Sequence, residues 1–340
     1  MRRWRNLTVG ILISAVFLWI ALRNVDLAQV QAVLRGARWE AAPLVLILWW
    51  GGLAARVGRW HSLMNRRVRL RSVYHIHNIG FLINSTLPFR IGELARAYLV
   101  SHENAGVSGL ATLSSIFTER VLDVLTLVVT LALVLPLLPL ESEVMASGMV
   151  VGAAGVAAFI VLLLSARLPG WMYRILAWGA HIAPFLERLH PLVERVVDGL
   201  KPLTTRSGLV RVGLWTAMVG VFGLLEVWSL ALLFPDWPQT TAAYGGLALA
   251  LVGASLSIII PFTPAGVGPF EAAVIFALTT AGVPGGLSAT YAVVWHAGIV
   301  LFYAAWGVIG LLAMGLSFDQ VWRGATATGQ QASDIGTVEA

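Results

Sequence analysis

Apolar and polar positions alternate along this chain in blocks rather than residue by residue. Continuous apolar stretches cover 7–22, 41–58, 107–135, 144–166, 208–234 and 287–316. Each approaches or exceeds the length of about 20 residues that a helix needs to cross a bilayer. Residues 26–40 are too polar to cross. Their Leu27, Val30, Val33 and Leu34 recur at helical spacing, which predicts a short interfacial helix. Residues 167–206 mix six basic and three acidic residues with Trp, Leu and Val, the pattern of amphipathic helices. From 317 onward the chain is rich in Gly, Ala, Thr and Gln and reads as a disordered tail.

Two segments fit neither pattern. Residues 73–104 and 240–283 are apolar but interrupted at mid-length by Pro and Gly. Such breaks are tolerated at membrane depth where the freed backbone is buried in protein or lines a wet cavity. Each segment is therefore expected to be a broken or re-entrant helix pair. The predicted fold is all-α: a polytopic helical membrane protein with about six full spans and two broken pairs. A single membrane domain is expected over 1–316. Its halves, 41–166 and 207–316, are joined by the segment 167–206, and the tail covers 317–340.

Composition agrees. Of 340 residues 58% are hydrophobic and 12% charged, half the usual charged share of about 25%, which excludes a soluble enzyme, a disordered chain and a nucleic-acid-binding domain. Mean hydropathy is +0.81. The net charge of +6 is read as topology rather than as a polyanion partner. Arg56, Arg59, Arg66, Arg67, Arg69 and Arg71 cluster after the second span, whereas Glu141, Glu143 and Asp236 mark loops free of basic residues. Both termini are then expected in the cytoplasm, in a cytoplasmic (inner) membrane. The opening MRRWRN resembles a signal peptide, but no small-residue cleavage site follows Leu22, so an uncleaved first span is expected. Cysteine is absent, which removes disulfides, thiolate metal sites and cysteine nucleophiles.

The two broken segments superpose at an offset of 176. Pro88 falls on Pro264, Gly92 on Gly268, and Glu119-Arg120 on Trp295-His296. In the topology above the two pairs enter from opposite sides, which makes an inverted repeat. Paired Gly/Pro-interrupted segments in two halves point to a transporter's binding site.

Ionisable side chains inside spans are costly, about 2.5–3.5 kcal/mol each on the lenient scale. This chain keeps Arg90, Glu93, Arg96, Glu119, Arg120, Asp123, Glu226, Glu271 and His296 in such positions. Mutual pairing between helices is one explanation, and Glu119 and Asp123 share a helical face with Arg120 or Arg96 near enough to neutralise them. A polar cavity at the two breaks is the other. Arg90 and Arg96 suit phosphate, because a guanidinium stays charged and presents a planar fork. The helix restarting after Pro88 adds free N–H groups. Gly266 and Gly268 offer backbone N–H groups at the second break. Asn84, Ser85 and Thr263 add neutral hydrogen bonds, or else satisfy the broken backbone. His75 and His77 are read as a membrane-surface pair rather than metal ligands. No Walker A loop, HExxH or GxSxG occurs, and neither cofactor nor metal is expected.

The stretches INSTLPFRIGELARAYLV, SSIFTERVLDVLTL and IIIPFTPAGVGPFEAAVIF resemble the lysylphosphatidylglycerol synthase transmembrane-domain family of flippase-like proteins, over about residues 8–316. The resemblance implies movement of a lipid with a modified headgroup, such as aminoacylated phosphatidylglycerol, between leaflets. Its matching positions are Pro88, Arg90, Gly92, Glu93, Arg96, Glu119, Arg120, Pro264, Gly266, Gly268 and Glu271. His296 stands where such proteins often carry arginine. Full-length synthases continue into a soluble acyltransferase-like domain, and this chain reads as a stand-alone member without one. Three functions remain open from sequence. The first is a lipid translocase acting on a phosphate-containing lipid, with a separate lipid-modifying enzyme as partner and no nucleic acid. The second is a membrane transferase using a lipid-linked donor, and the third a non-catalytic partner of an envelope enzyme.

Overall fold

A computed structural model describes residues 27–86, 90–103, 106–138, 201–257 and 263–327, with isolated positions between 146 and 181. The expected first span at 7–22, Pro88, nearly all of the 144–166 span, most of 167–206 and the tail beyond 327 lie outside the described residues. Among the described residues every regular element is a helix.

The helices are α1 (Leu27–Gly36), α2 (Ala42–Leu63), α3 (Leu70–Thr86), α4 (Ile91–Glu103), α5 (Gly109–Val134), α6 (Arg206–Ala231), α7 (Thr241–Ser257), α8 (Pro269–Thr280) and α9 (Gly285–Met314). A last helix, α10, covers 318–327. The stretches Trp39–Leu63, Arg206–Ala231 and Gly285–Met314 are long and apolar enough to cross a membrane. Helix α5 has 26 residues, so it is long enough, but it carries Glu119, Arg120 and Asp123 within its length. The broken segments form helix pairs. Helices α3 and α4 have 17 and 13 residues, and α7 and α8 have 17 and 12. At 1.5 Å per residue each is shorter than the roughly 30 Å hydrocarbon core. Within each pair the two helices pack on each other.

Helix lengths run 22, 17, 13, 26 residues over α2–α5 and 26, 17, 12, 30 over α6–α9. The order long, short, short, long therefore occurs twice. Helix α9 packs on both pairs, touching α3 and α8, and contributes to both large apolar cores. The close contacts use small residues, as expected where lipid removes the hydrophobic drive between helices. Gly51, Gly52 and Gly58 of α2 face Phe222, Glu226 and Trp215 of α6, and Gly307 and Gly310 of α9 lie against α3.

Two expectations are corrected. Arg56 and Arg59 do not belong to the exposed arginine cluster. Arg66, Arg67, Arg69 and Arg71 are exposed, whereas Arg59 is fully buried and Arg56 hydrogen-bonds the Tyr303 side chain. Both arginines sit on the α2 face that carries Gly52, turned into the protein. The tail also begins with ordered structure. Ser317 and Gln320 exchange side chain to backbone hydrogen bonds that start α10, and Val321 and Ala325 are buried in the core shared by α3 and α4. The ring of Tyr98 occupies the space a Cβ at Gly324 would need. Apolar residues spaced i, i+4 among small ones account for the docking. At the other end, the interfacial-helix segment forms α1, and Arg38 N–H donates to the carbonyl of Leu233 beyond α6 at 2.7 Å.

Candidate functional site at two helix breaks

The first break joins α3 to α4. Helix α3 ends by folding polar side chains back on itself. Ser85 Oγ donates to the Phe81 carbonyl and Thr86 Oγ1 to the Leu82 carbonyl, both at 3.0 Å. Asn84 Oδ1 reaches across and accepts from the Gly92 N–H at 2.8 Å. Asn84 and Ser85 therefore satisfy broken backbone. Arg90 lies in the left-handed region with φ 53°, so the chain reverses sharply there. Gly92 is required by contact: a Cβ would stand 1.9 Å from the Gly80 carbonyl oxygen, so the two helices meet backbone to backbone.

That closure sets the charged side chains. Arg96 of α4 lies with its guanidinium 3.8 Å from the Trp60 ring centroid. Trp60 is fixed in turn by its Nε1–H, which donates to Ser115 Oγ at 3.1 Å. Arg96 Nη2 donates to Glu119 Oε2 at 2.7 Å. Arg59 of α2 pairs with Asp123 and lies 3.6 Å from Glu119. Arg120 lies 3.1 Å from Asp123, 3.6 Å from Glu93 and 3.7 Å from Glu119. Arg90 lies 3.6 Å from Glu93.

The structure thus brings together all six charged residues that sequence reading assigned to the first half: Arg90, Glu93, Arg96, Glu119, Arg120 and Asp123. It adds Arg59, which that reading placed in the arginine cluster after the second span. The signal that finds Arg59 is helical spacing, since Gly52, Arg56 and Arg59 recur at i, i+4 and i+7 on one face.

The cluster has two layers. Side chains of Arg59, Glu119 and Arg96 are 0%, 2% and 5% exposed, whereas Arg120, Arg90, Glu93 and Asp123 are 39%, 26%, 25% and 23% exposed. The buried layer holds the tight Arg96–Glu119 bond. The outer layer is looser, since both arginine contacts of Glu93 are 3.6 Å, beyond the 2.7–2.9 Å of a charge-assisted hydrogen bond. Four guanidinium groups against three carboxylates leave 4 − 3 = +1. Nε and Nη1 of Arg59 and Nε of Arg96 are buried with no hydrogen-bond partner among the described residues. Buried donors of this kind call for water or an anion.

The second break joins α7 to α8 through a turn at Pro264–Gly266 that packs on α3. Ala265, Gly266 and Gly268 have φ of 55°, 82° and 94°. The Gly266 N–H bonds the Thr263 carbonyl at 3.1 Å. Glu271 Oε2 accepts from the Gly268 N–H at 2.7 Å, which caps α8. Its other oxygen, Oε1, is 2.6 Å from His296 Nδ1 on α9, and His296 Nε2 lies 3.1 Å from the Ala265 carbonyl. Phe270 stacks on the imidazole at 4.2 Å. Thr263 Oγ1 is buried with no partner among the described residues. Glu271 and His296 exchange no ion pair or hydrogen bond with the arginine cluster, so the carboxylates read as one set from sequence form two separate groups.

Apolar helices of spanning length, two pairs of helices each too short to span alone, and charge buried where the first pair breaks define a polytopic helical membrane protein built around interrupted helices. The chain belongs to the family described as the lysylphosphatidylglycerol synthase TM region, which it matches over residues 7–307. It is also similar to a UPF0104 membrane protein of Methanothermobacter thermautotrophicus strain Delta H, 24% identical over 303 residues covering 86% of this chain and 88% of the relative. No solved structure matches the chain. The family assignment agrees with the resemblance carried by the two break motifs.

Proposed function

We propose that this protein moves a phosphate-bearing lipid, such as an aminoacylated or glycosylated one, between the leaflets of the cytoplasmic membrane. The observation that carries the reading is the two-layered cluster at the first break. The buried layer backs a part-exposed rim, where Arg90 and Arg120 each lie 3.6 Å from Glu93, a loose contact for both. A phosphodiester entering the rim displaces Glu93 from both guanidiniums and meets the surplus single positive charge. Glu93, once freed, faces an amino or hydroxyl group of the headgroup, while Asp123 stays paired with Arg59. The acyl chains stay in lipid. The doubled helix order supports two halves, and opposite entry of the two pairs would make them an inverted repeat with both termini in the cytoplasm.

The test is headgroup accessibility in proteoliposomes carrying labelled phosphatidylglycerol, phosphatidylethanolamine and an aminoacylated phosphatidylglycerol. Wild-type protein should equilibrate at least one of these lipids between leaflets, and Arg90→Gln and Arg120→Gln should slow it about tenfold or more, the loss of one charged contact. Rates equal to protein-free vesicles for every lipid, or unchanged rates in both variants, would refute it.

A further inference from the structure

We infer that Glu271 and His296 form a proton-binding site that latches the second break closed, and that the proton is the coupling ion of lipid movement. The coupling rests on the translocase reading above; the latch does not.

The hydrogen-bond inventory fixes the proton count. The Ala265 carbonyl can only accept, so His296 Nε2 carries a hydrogen. Nδ1 and Glu271 Oε1 are 2.6 Å apart, so a second hydrogen lies between them. Whether it sits on nitrogen or oxygen, the closed pair is neutral overall and holds one proton that can leave. When it leaves to water, a lone pair on Nδ1 faces a carboxylate in a site where the two side chains are 6% and 7% exposed. An uncompensated buried charge facing a lone pair is unfavourable, and the pair must separate.

Separation acts directly on backbone. His296 holds Ala265 by its carbonyl, and Glu271 holds Gly268 by its N–H, the two ends of a turn whose Ala265 is a non-glycine residue in the left-handed region. Losing the proton therefore breaks the link that ties one end of the turn to the other, and the two ends are free to part with His296 and Glu271. Among the described residues no other side chain is hydrogen-bonded to Glu271 or His296. Elements packed on α9 carry Arg71, His75 and His77 on α3, Arg206, Arg211 and Glu226 on α6, and Arg35 on α1; Arg56 of α2 is engaged by Tyr303. None of them hydrogen-bonds or ion-pairs with Glu271 or His296. Asp319 and Arg323 of α10 pair with each other.

The absence of cysteine makes the test clean. A thiol at Val267→Cys, half-buried in the turn, is labelled with a maleimide as pH is raised, and its rate is divided by that of Gln31→Cys on the exposed face of α1. Normalised labelling should rise about tenfold per pH unit where the closed state predominates, the slope of a one-proton equilibrium. Combined with His296→Arg or His296→Gln, neither of which releases that proton, the profile should be flat. In proteoliposomes an imposed pH gradient should accelerate wild-type lipid movement in one direction and leave the His296→Arg variant indifferent. A flat wild-type profile, or the same slope in both His296 variants, overturns the latch. Gated labelling with gradient-independent lipid movement overturns the coupling. Gated labelling with no lipid movement removes the translocase reading, and the coupling with it, but not the latch.

Discussion

Glu119 is the side chain on which the first cluster depends. Its carboxylate faces Arg96 at 2.7 Å, Arg59 at 3.6 Å and Arg120 at 3.7 Å, and it is 2% exposed. Glu119→Gln keeps the shape but takes the count from four cations and three anions to four against two, with Arg59 and Arg96 enclosed beside the change. Removing one partner of a buried pair costs about 3–5 kcal/mol, because the charge left behind stays desolvated. At 2–4 °C per kcal/mol for larger domains, that is a fall of about 6–20 °C in Tm. Thermal unfolding in detergent, followed by the fluorescence of the 14 tryptophans, reads it. The internal control is Asp319→Asn, which breaks the exposed Arg323–Asp319 pair and should cost no more than about 0.5 kcal/mol. Adding Arg96→Leu to Glu119→Leu should recover part of the loss, so the two changes are strongly non-additive. Equal Tm values for Glu119→Gln and Asp319→Asn, or additive losses at Glu119 and Arg96, would refute the picture of a buried, mutually dependent lattice.

Other changes follow from contact geometry. Gly92→Ala places a Cβ 1.9 Å from a backbone oxygen that cannot swing aside, and should prise α3 from α4 with a large loss of Tm. Gly52→Ala meets the end of the Glu226 side chain at 1.8 Å, a group that can rotate, and should cost less than Gly92→Ala. Gly213→Ala on α6 meets nothing within 4 Å and should stabilise by about 0.5–1 kcal/mol through helix propensity, measured in the same melt. Val321→Asp buries an unpaired charge under α10 and should undock it, seen as faster tryptic cleavage at Arg323.

Much of this architecture is legible before any coordinates. Apolar block length separates α2, α6 and α9 from the shorter paired helices, and Pro and Gly at mid-segment mark where the pairs break. The charged residues of α4 and α5 stand out because apolar surroundings make them expensive. Arg56 and Arg59 escaped because they sit at the end of an apolar helix just before exposed arginines, where position along the chain resembles a membrane boundary. Their direction depends on rotation about the helix axis, which is set by the glycines they share a face with. Helix α10 escaped because its apolar content is small. Its stability comes from a hydrogen-bonded start at Ser317 and a flat seat on Tyr98. The separation of the Glu271–His296 pair from the arginine cluster is a tertiary fact with no local signature.

The seating of α10 also ties the end of the chain's last long helix to the first broken pair. The helix follows α9 after the left-handed Gly315 and lies on Tyr98 of α4. The helix that carries His296 and the helix that carries Arg96 are thereby strapped together at one end by α10. A movement of α9 against α4 must therefore either carry α10 along with both or lift it off Tyr98.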